Sequence, residues 1–183
     1  MQTQNCIFER YTGTAVVLDG DSAEFSFADS VARDRRIGLS SGATTLAVDN
    51  SRFENNRKYG LFLDQPLGQA SVSRSIASGN LYGFYLSAGS ATFFETAAVE
   101  NTVGFALGGD ETLDSASVHG NTITGVLSFQ GTARISNFVV TGNGTGLRDN
   151  NGPSTGTLVS LGNNLIAGNT TDISGSLVPL APQ

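Results

Sequence analysis

Apolar residues recur along the chain in short segments that repeat about every 23 residues and are separated by glycine- and asparagine-rich turns. Each repeat has an apolar pair, an asparagine turn, a glycine and a second apolar pair, as in "SGNLYGFYL" and "ENTVGFAL". A fixed period of this length predicts a repeat architecture, and we take the glycine after each turn as the reference position. Eight repeats follow, with these reference residues: Gly13, Gly38, Gly60, Gly83, Gly104, Gly125, Gly146 and, in place of glycine, Asp172.

Three apolar columns keep fixed positions relative to that reference residue. The residue seven positions before it is apolar in every repeat: Cys6, Val31, Phe53, Ile76, Ala97, Val118, Val139 and Leu165. The residue one position after it is apolar in all but the first repeat: Thr14, Leu39, Leu61, Phe84, Phe105, Val126, Leu147 and Ile173. A less regular column contains pairs two residues apart, the period of a strand with one face inward: Phe25, Phe27, Leu46, Val48, Ala70, Val72, Ala91, Phe93, Ala133, Ile135, Val159 and Leu161.

Three short strands per repeat, joined by turns, predict a coil with one wall for each strand. Successive coils would pair as parallel strands about 4.8 Å apart, and the apolar columns would stack into a core that no single repeat can bury. The sequence therefore predicts an all-β fold, a single-stranded parallel β-helix of about eight coils, as one domain over residues 1–183. A leucine-rich repeat has a similar period, but its LxxLxL signature is absent.

The segments "SGNLYGFYL", "ENTVGFAL", "GNTITGVL" and "GNGTGL" resemble the right-handed parallel β-helix of the pectin lyase-like superfamily, over essentially the whole chain. The stretch "SLGNNLIAGNTTDISG" is similar to the last coil of many bacterial β-helix repeat proteins. This resemblance implies a right-handed solenoid. It does not fix an activity, because the superfamily includes lyases, hydrolases, epimerases, phage tailspikes and adhesins.

Composition excludes several classes of function. The net charge of −6 argues against general nucleic-acid binding, and no apolar run approaches the roughly 20 residues that span a bilayer. Cys6 is the only cysteine, so an internal disulfide is impossible. The first residues show no signal peptide. We therefore expect a domain from a longer extracellular or cell-surface protein, bacterial or phage-related.

Asparagine forms a column of its own next to the reference glycine. Its members are Asn80, Asn101, Asn143 and Asn169 three positions before the reference residue, and Asn56 and Asn121 four positions before it. We predict a structural ladder, because asparagine tolerates left-handed turns and stacked amides hydrogen-bond from coil to coil. Contact with sugar is the alternative. The sequons at Asn143 and Asn169 lie on this column and are interpreted as ladder members.

Basic residues cluster early in the chain, with seven of the ten Lys and Arg between residues 33 and 74. Arg10, Arg35 and Arg57 share the asparagine position, and Arg36 and Lys58 occupy the next one. We predict that they stack into a basic stripe that holds the carboxylates or sulfates of an acidic glycan. The alternative is a solvated turn edge, neutralised by neighbouring acids such as Glu9 and Asp34.

An apolar column also faces outward, two positions after the reference glycine. It comprises Phe62, Tyr85, Ala106 and Leu127, flanked by Tyr59 and Tyr82. Aromatic faces pack on sugar rings, so Tyr59, Phe62, Tyr82 and Tyr85 are candidate ligand-binding residues beside Arg35, Arg36, Arg57 and Lys58. Cover by the segment 63–69 or by a neighbouring subunit is the alternative.

The acidic residues do not form a catalytic pattern. Asp110, Glu111 and Asp114 lie close together in "GGDETLD", which we expect to be a loop and a weak Ca²⁺ candidate. No column of paired carboxylates is present, and the NTD, DD, GHG, RIK and DPHE motifs of the resembling enzymes are absent. We therefore identify no catalytic residue and expect no cofactor, with Ca²⁺ left open.

Two functions remain. The first is a non-catalytic module that binds a glycan or surface, or associates with itself through its exposed ends or its apolar face. The C-terminal "GSLVPLAPQ" carries two prolines that would blunt one end. The second is a polysaccharide lyase, hydrolase or epimerase acting on an acidic glycan, with Asp34 or Asp64 as the nearest carboxylates.

Overall fold

The computed structural model of the protein describes residues 2–10, 12–18, 24–42, 45–64, 69–150 and 156–180. Within these ranges the chain forms strands and turns and no helix. Among the same residues there is accordingly no helix of the length and apolarity needed to cross a membrane.

Three parallel sheets form the walls of a solenoid, and each coil contributes one strand to each sheet. Sheet A has nine strands: β1 (Gln2–Gln4), β4 (Glu24–Ala28), β7 (Thr45–Asp49), β10 (Gln69–Ser73), β13 (Ser90–Phe94), β16 (Asp110–Asp114), β19 (Gly131–Ser136), β22 (Gly156–Ser160) and β25 (Leu177–Pro179). Sheet B has eight short strands: β2 (Ile7–Phe8), β5 (Val31–Arg33), β8 (Arg52–Glu54), β11 (Ile76–Ser78), β14 (Ala97–Val99), β17 (Ser117–His119), β20 (Val139–Thr141) and β23 (Leu165–Ile166).

Sheet C follows the asparagine turn in every coil. It has eight strands: β3 (Thr14–Leu18), β6 (Ile37–Ser41), β9 (Tyr59–Leu63), β12 (Tyr82–Leu86), β15 (Val103–Leu107), β18 (Thr124–Ser128), β21 (Thr145–Asp149) and β24 (Thr171–Ser174). Each strand pairs in parallel with the corresponding strands of the coils before and after it. The predicted parallel β-solenoid is confirmed, with about seven coils, close to the predicted eight.

The core is a stack of apolar side chains enclosed by the three sheets. Its largest fully buried members are phenylalanines: Phe27, Phe53, Phe84, Phe93, Phe105 and Phe138. Adjacent rings contact one another along the axis, as at Phe84 and Phe105, whose centroids lie 4.8 Å apart. Burial of these columns supplies the hydrophobic free energy that offsets the entropy of ordering so many turns.

The column seven residues before the reference position was predicted to be part of the core, and this prediction is wrong in most repeats. Ile76 and Val139 are about 40% exposed, while Phe53 and Val118 are fully buried. The turn between sheets B and C varies by one residue from coil to coil, and a shift of one residue moves a side chain to the opposite face. The inward column of sheet B is instead Phe8, Ala32, Phe53, Ala77, Ala98, Val118, Val140 and Ile166.

The predicted register also fails in the first and last repeats. Thr14 pairs with Ile37 and Val16 with Leu39, so Ala15 and not Gly13 holds the reference position of the first coil. In the last coil Leu158 is fully buried and pairs with Ala133, whereas the predicted Leu161 is exposed. The turns of the first and last repeats differ in length from those of the other repeats. The alignment of the repeats assumed a constant turn length, so it fails there.

Left-handed backbone occurs once at each of two corners in every coil. Between sheets A and B the residues with positive φ are Asn5, Asp29, Asn50, Arg74, Glu95, Ser115, Asn137 and Gly162. Between sheets B and C they are Arg10, Asp34, Asn55, Gly79, Glu100, Gly120, Gly142 and Gly168. This conformation turns the chain within one residue, and it explains why Asn, Asp and Gly are so frequent.

The asparagine ladder is confirmed and lies inside the corner between sheets B and C. Each rung donates its backbone and side-chain amides to Oδ1 of the next rung, and each side-chain amide also donates to a carbonyl of the preceding coil. Asn143 is 2% exposed, so this sequon asparagine is a buried ladder member. A second, unpredicted ladder runs through Ser30, Ser51 and Ser75 at the other corner, where each hydroxyl accepts a backbone N–H.

Candidate functional site

The predicted basic residues stack on two neighbouring coils at the corner between sheets B and C. The backbone amide of Arg57 donates to the carbonyl of Arg35 at 2.7 Å, and that of Lys58 donates to the carbonyl of Arg36 at 2.9 Å. Arg10 does not belong to this stack, because the pairing of Phe8 with Ala32 places it at the level of Asp34. The basic stripe therefore covers two coils and not three.

Salt bridges neutralise other cations in the same part of the chain. Glu9 accepts hydrogen bonds from Arg33 at 2.5 and 2.8 Å, and Arg74 pairs with Asp49 at 2.5 Å. The Arg33 guanidinium lowers the pKa of the Glu9 carboxyl. Among the described residues, no ion pair is found for Arg36, Arg57 or Lys58.

The outward side chains of sheet C form a continuous group of aromatic rings. Strands β9 and β12 bring together four of them, because the register pairs Tyr59 with Tyr82 and Phe62 with Tyr85. Ring centroids lie 4.6 Å apart for the stacked pair Tyr59 and Phe62, and 5.4 to 5.6 Å apart for the pairs that Tyr85 forms with Tyr82 and Phe62. The expected cluster is thus packed together, with Phe62, Tyr82 and Tyr85 half-buried at its surface and Tyr59, only 8% exposed, covered by its neighbours.

Phe129 extends this surface and was not predicted. Its ring lies 5.7 Å from that of Tyr85 and covers Gly108, where an added Cβ would lie 2.5 Å from the phenyl carbons. Phe129 lies in a corner between sheets C and A, outside every repeating column, so periodicity could not reveal it. The neighbouring pair Gly108 and Gly109 was the available signal, because two adjacent glycines indicate a close approach of another group.

Lys58 connects the aromatic and basic groups. Its Nζ atom lies 4.6 Å from the centroid of the Tyr59 ring, within the range of a cation–π interaction. The two predicted groups therefore form a single surface. We call it the aromatic–basic face, and it consists of Arg36, Arg57, Lys58, Tyr59, Phe62, Tyr82, Tyr85 and Phe129.

The rings of this face are pre-ordered and partly desolvated. Burial raises the pKa of the Tyr85 phenol, and the neighbouring Tyr59, Tyr82 and Asp64 act in the same direction. Asp64, directly after β9, accepts a hydrogen bond from the Ser87 hydroxyl at 3.2 Å.

The acidic group at 110–114 is a strand, β16, and not the expected loop. Asp110 is exposed, whereas Glu111 points inward and is fully buried, so the side chains lie on opposite faces. Asp114 instead accepts hydrogen bonds from Ser136 and Asn137, both at 2.8 Å, which lower its pKa. Within the described ranges no three Asp, Glu, His or Cys side chains converge as metal ligands.

Two of the open cavities lie outside the ring cluster. One of about 450 Å³ adjoins the face at the ladder corner, with Arg57 and Glu100 among its lining residues. Another of about 460 Å³ lies on sheet A and is lined mainly by hydroxyl, amide and small side chains such as Thr45, Ser71 and Thr92. Neither contains the aromatic side chains that distinguish the aromatic–basic face.

Comparisons with known proteins give no functional assignment. No protein-family model matches the chain, and a search of curated proteins finds no matching relative.

Proposed function

We propose that the protein is a non-catalytic solenoid module that binds an acidic polysaccharide through the aromatic–basic face. The observation that carries this proposal is the position of Lys58, whose ammonium group lies 4.6 Å from the centre of a ring in a five-ring surface. Sugar rings pack their C–H faces on aromatic rings, and their carboxylates or sulfates pair with Lys and Arg. Both kinds of contact are adjacent here.

The geometry favours an extended ligand over a small one. Ring centroids 4.6 to 5.7 Å apart leave no space for a ligand between the rings, so a ligand contacts their outer surfaces. The face extends over several coils, each about 4.8 Å from the next. Because the rings are held by neighbouring rings, little side-chain entropy is lost on binding.

The repeat motifs support two finer proposals. We propose that the solenoid is right-handed and belongs to the pectin lyase-like superfamily, and that it functions at an extracellular or cell surface of bacterial or phage origin. Polysaccharide cleavage remains an alternative prediction, with Arg57 as the residue whose loss would abolish turnover. Self-association through the apolar face remains a second alternative.

Binding is tested by titration calorimetry with polygalacturonate and alginate, with dextran as the neutral control. We expect both acidic polymers to bind, dextran not to bind, and affinity to fall as salt is raised. The double variant R57Q/K58Q is expected to bind roughly tenfold more weakly, about 1.4 kcal/mol. The matched control is R134Q, which removes an exposed cation from sheet A. Equal binding by R57Q/K58Q and wild type would contradict the proposal.

Catalysis is tested on the same polymers by following unsaturated products and reducing ends. The proposal predicts neither. If turnover is detected and the substitution Arg57→Ala abolishes it, the enzymatic alternative replaces the proposal of a non-catalytic module.

A further inference from the structure

Asp172 stands in the last coil at the reference position that glycine holds in the six coils before it. The pairing of Thr145 with Thr171 and of Leu147 with Ile173 places Asp172 opposite Gly146. Its Oδ1 atom accepts hydrogen bonds from the backbone amide of Asn169 at 3.1 Å and from the side-chain amide of Asn169 at 2.9 Å.

These two bonds reproduce the contact that one ladder rung makes with the next. Asn143 donates its backbone and side-chain amides to Oδ1 of Asn169, at 2.9 and 2.8 Å. Asp172 therefore supplies, from within the last coil, the acceptor that a following asparagine would otherwise provide. The ladder is complete at Asn169 without a further rung.

The Cβ atom of Asp172 is a steric obstacle to a further coil that carries an asparagine rung. A Cβ on Gly146 would lie 2.6 Å from the carbonyl oxygen of Asp172 and 2.7 Å from Nδ2 of Asn169. Equivalent conflicts exist at Gly60 and Gly104, so each coil that is followed by an asparagine rung has glycine at this position. Ala15, which has a Cβ, precedes a coil whose ladder position is Arg35.

Sheet A is blocked independently by Pro179 on its last strand, β25. Leu180 donates its amide to the carbonyl of Ser160 at 2.9 Å. Because successive residues of a strand direct their polar groups to alternate sides, Pro179 faces the free edge, where its nitrogen has no hydrogen to donate. An added strand would lack one ladder hydrogen bond there.

We propose that Asp172 terminates the asparagine ladder and, together with Pro179, closes this end of the solenoid to the edge of a second copy. Association of copies through this end is thereby prevented. A solenoid with two open ends would instead grow into a filament. This inference does not depend on the proposed glycan binding.

Two double variants that differ by one methyl group test the proposal. D172A/P179V and D172G/P179V both lose the carboxylate, but only the glycine variant also removes the Cβ obstacle. We expect hydrogen exchange of the Asn169 amide to accelerate in both and to remain at the wild-type rate in D172N, which keeps an Oδ1 acceptor. In sedimentation velocity, only D172G/P179V should gain mass with rising concentration.

The outcomes separate the two parts of the proposal. An unchanged exchange rate at Asn169 in D172A/P179V would overturn the ladder termination. Absence of association in D172G/P179V would overturn the closure. Disulfide crosslinking tests closure with Asp172 and Pro179 left in place. The variant C6S/S176C carries a single cysteine near this end, since Cys6 is the only native cysteine. High yields of disulfide-linked dimer at micromolar protein would show an open end, whereas a monomer supports closure.

Discussion

The side-chain oxygen of Asn101 accepts two hydrogen bonds from Asn80, one from its backbone amide and one from its side-chain amide, both at 2.9 Å. The Asn101 amide in turn donates to the Ala77 carbonyl at 3.0 Å and to Oδ1 of Asn121 at 3.1 Å. Asn101 is 1% exposed, so no solvent replaces these partners. One side chain thus satisfies polar groups of the preceding coil and of the following coil.

Truncation of this rung should be among the most destabilising single substitutions. N101A removes four hydrogen bonds from a buried corner and leaves the backbone N–H of Asn80 without its acceptor, which carries a desolvation cost. We expect a loss of about 2–4 kcal/mol in the free energy of unfolding, measured by urea denaturation. The control N163A removes an exposed asparagine that pairs with Asn137. An equal loss in both variants would contradict a special role for the ladder.

The reference glycines are required by the approach of the next coil. A Cβ on Gly104 would lie 2.5 Å from the carbonyl oxygen of Gly125 and 3.1 Å from Nδ2 of Asn121. Because the first atom is backbone, the coils must separate, and we expect G104A to lose about 3 kcal/mol or more. G13A is the matched control, since nothing lies within 4 Å of its added Cβ. The two urea midpoints compare them, and a midpoint for G104A near that of G13A would refute this interpretation.

The fold was predictable because its main determinants repeat. Glycine, asparagine and the apolar residue after the glycine recur in coil after coil, so their columns appear without a structure. The inward column of sheet B was not predictable from a fixed offset. The turn from sheet B to sheet C contains one additional residue in some coils. Two residues, Arg57 and Lys58, separate the ladder asparagine from sheet C in one coil, whereas Leu81 alone does so in the next.

The candidate site was only partly predictable for a related reason. Tyr59, Phe62, Tyr82 and Tyr85 belong to repeating positions, so their proximity followed from the alignment of coils. Phe129 joins them from a corner that has no counterpart in other repeats. Glu111 replaces alanine in an inward column, between Ala91 and Ala133, and its burial appeared only when the strand was placed.

Tyr85 is central to the aromatic–basic face, because its ring contacts those of Tyr59, Phe62, Tyr82 and Phe129. We expect Y85A to weaken binding of polygalacturonate by up to roughly tenfold, since a stacked ring contributes about 0.5–1.5 kcal/mol. Y85F keeps the ring and should bind like wild type.

Tyrosine emission provides the readout for this comparison. The chain has no tryptophan, and three of its four tyrosines lie on this face. Ligand should therefore change the emission of wild type and Y85F. An unchanged dissociation constant in Y85A would place the binding site elsewhere.

Glu111 should make the protein less stable as the pH rises from acid to mildly alkaline values. Its side chain is fully buried, Oε1 accepts the Gly109 amide at 2.7 Å, and Oε2 has no hydrogen-bond partner. Burial raises the pKa of this carboxyl from 4.5 to about 8, with a further contribution from the Asp110 charge and an opposing one from Arg134. The folded protein therefore holds a proton that the unfolded chain releases near pH 4.5.

The contribution of this proton to stability is complete below pH 4.5 and is lost as the pH rises to about 8. Each unit of raised pKa corresponds to about 1.4 kcal/mol, so the loss amounts to a few kcal/mol. E111Q keeps the shape without the titration, and its free energy of unfolding should exceed that of wild type at pH 9 and approach it at pH 4. Urea denaturation across this range, with the exposed E95Q as control, measures the difference. A constant difference between E111Q and wild type at all pH values would show that Glu111 does not titrate on unfolding.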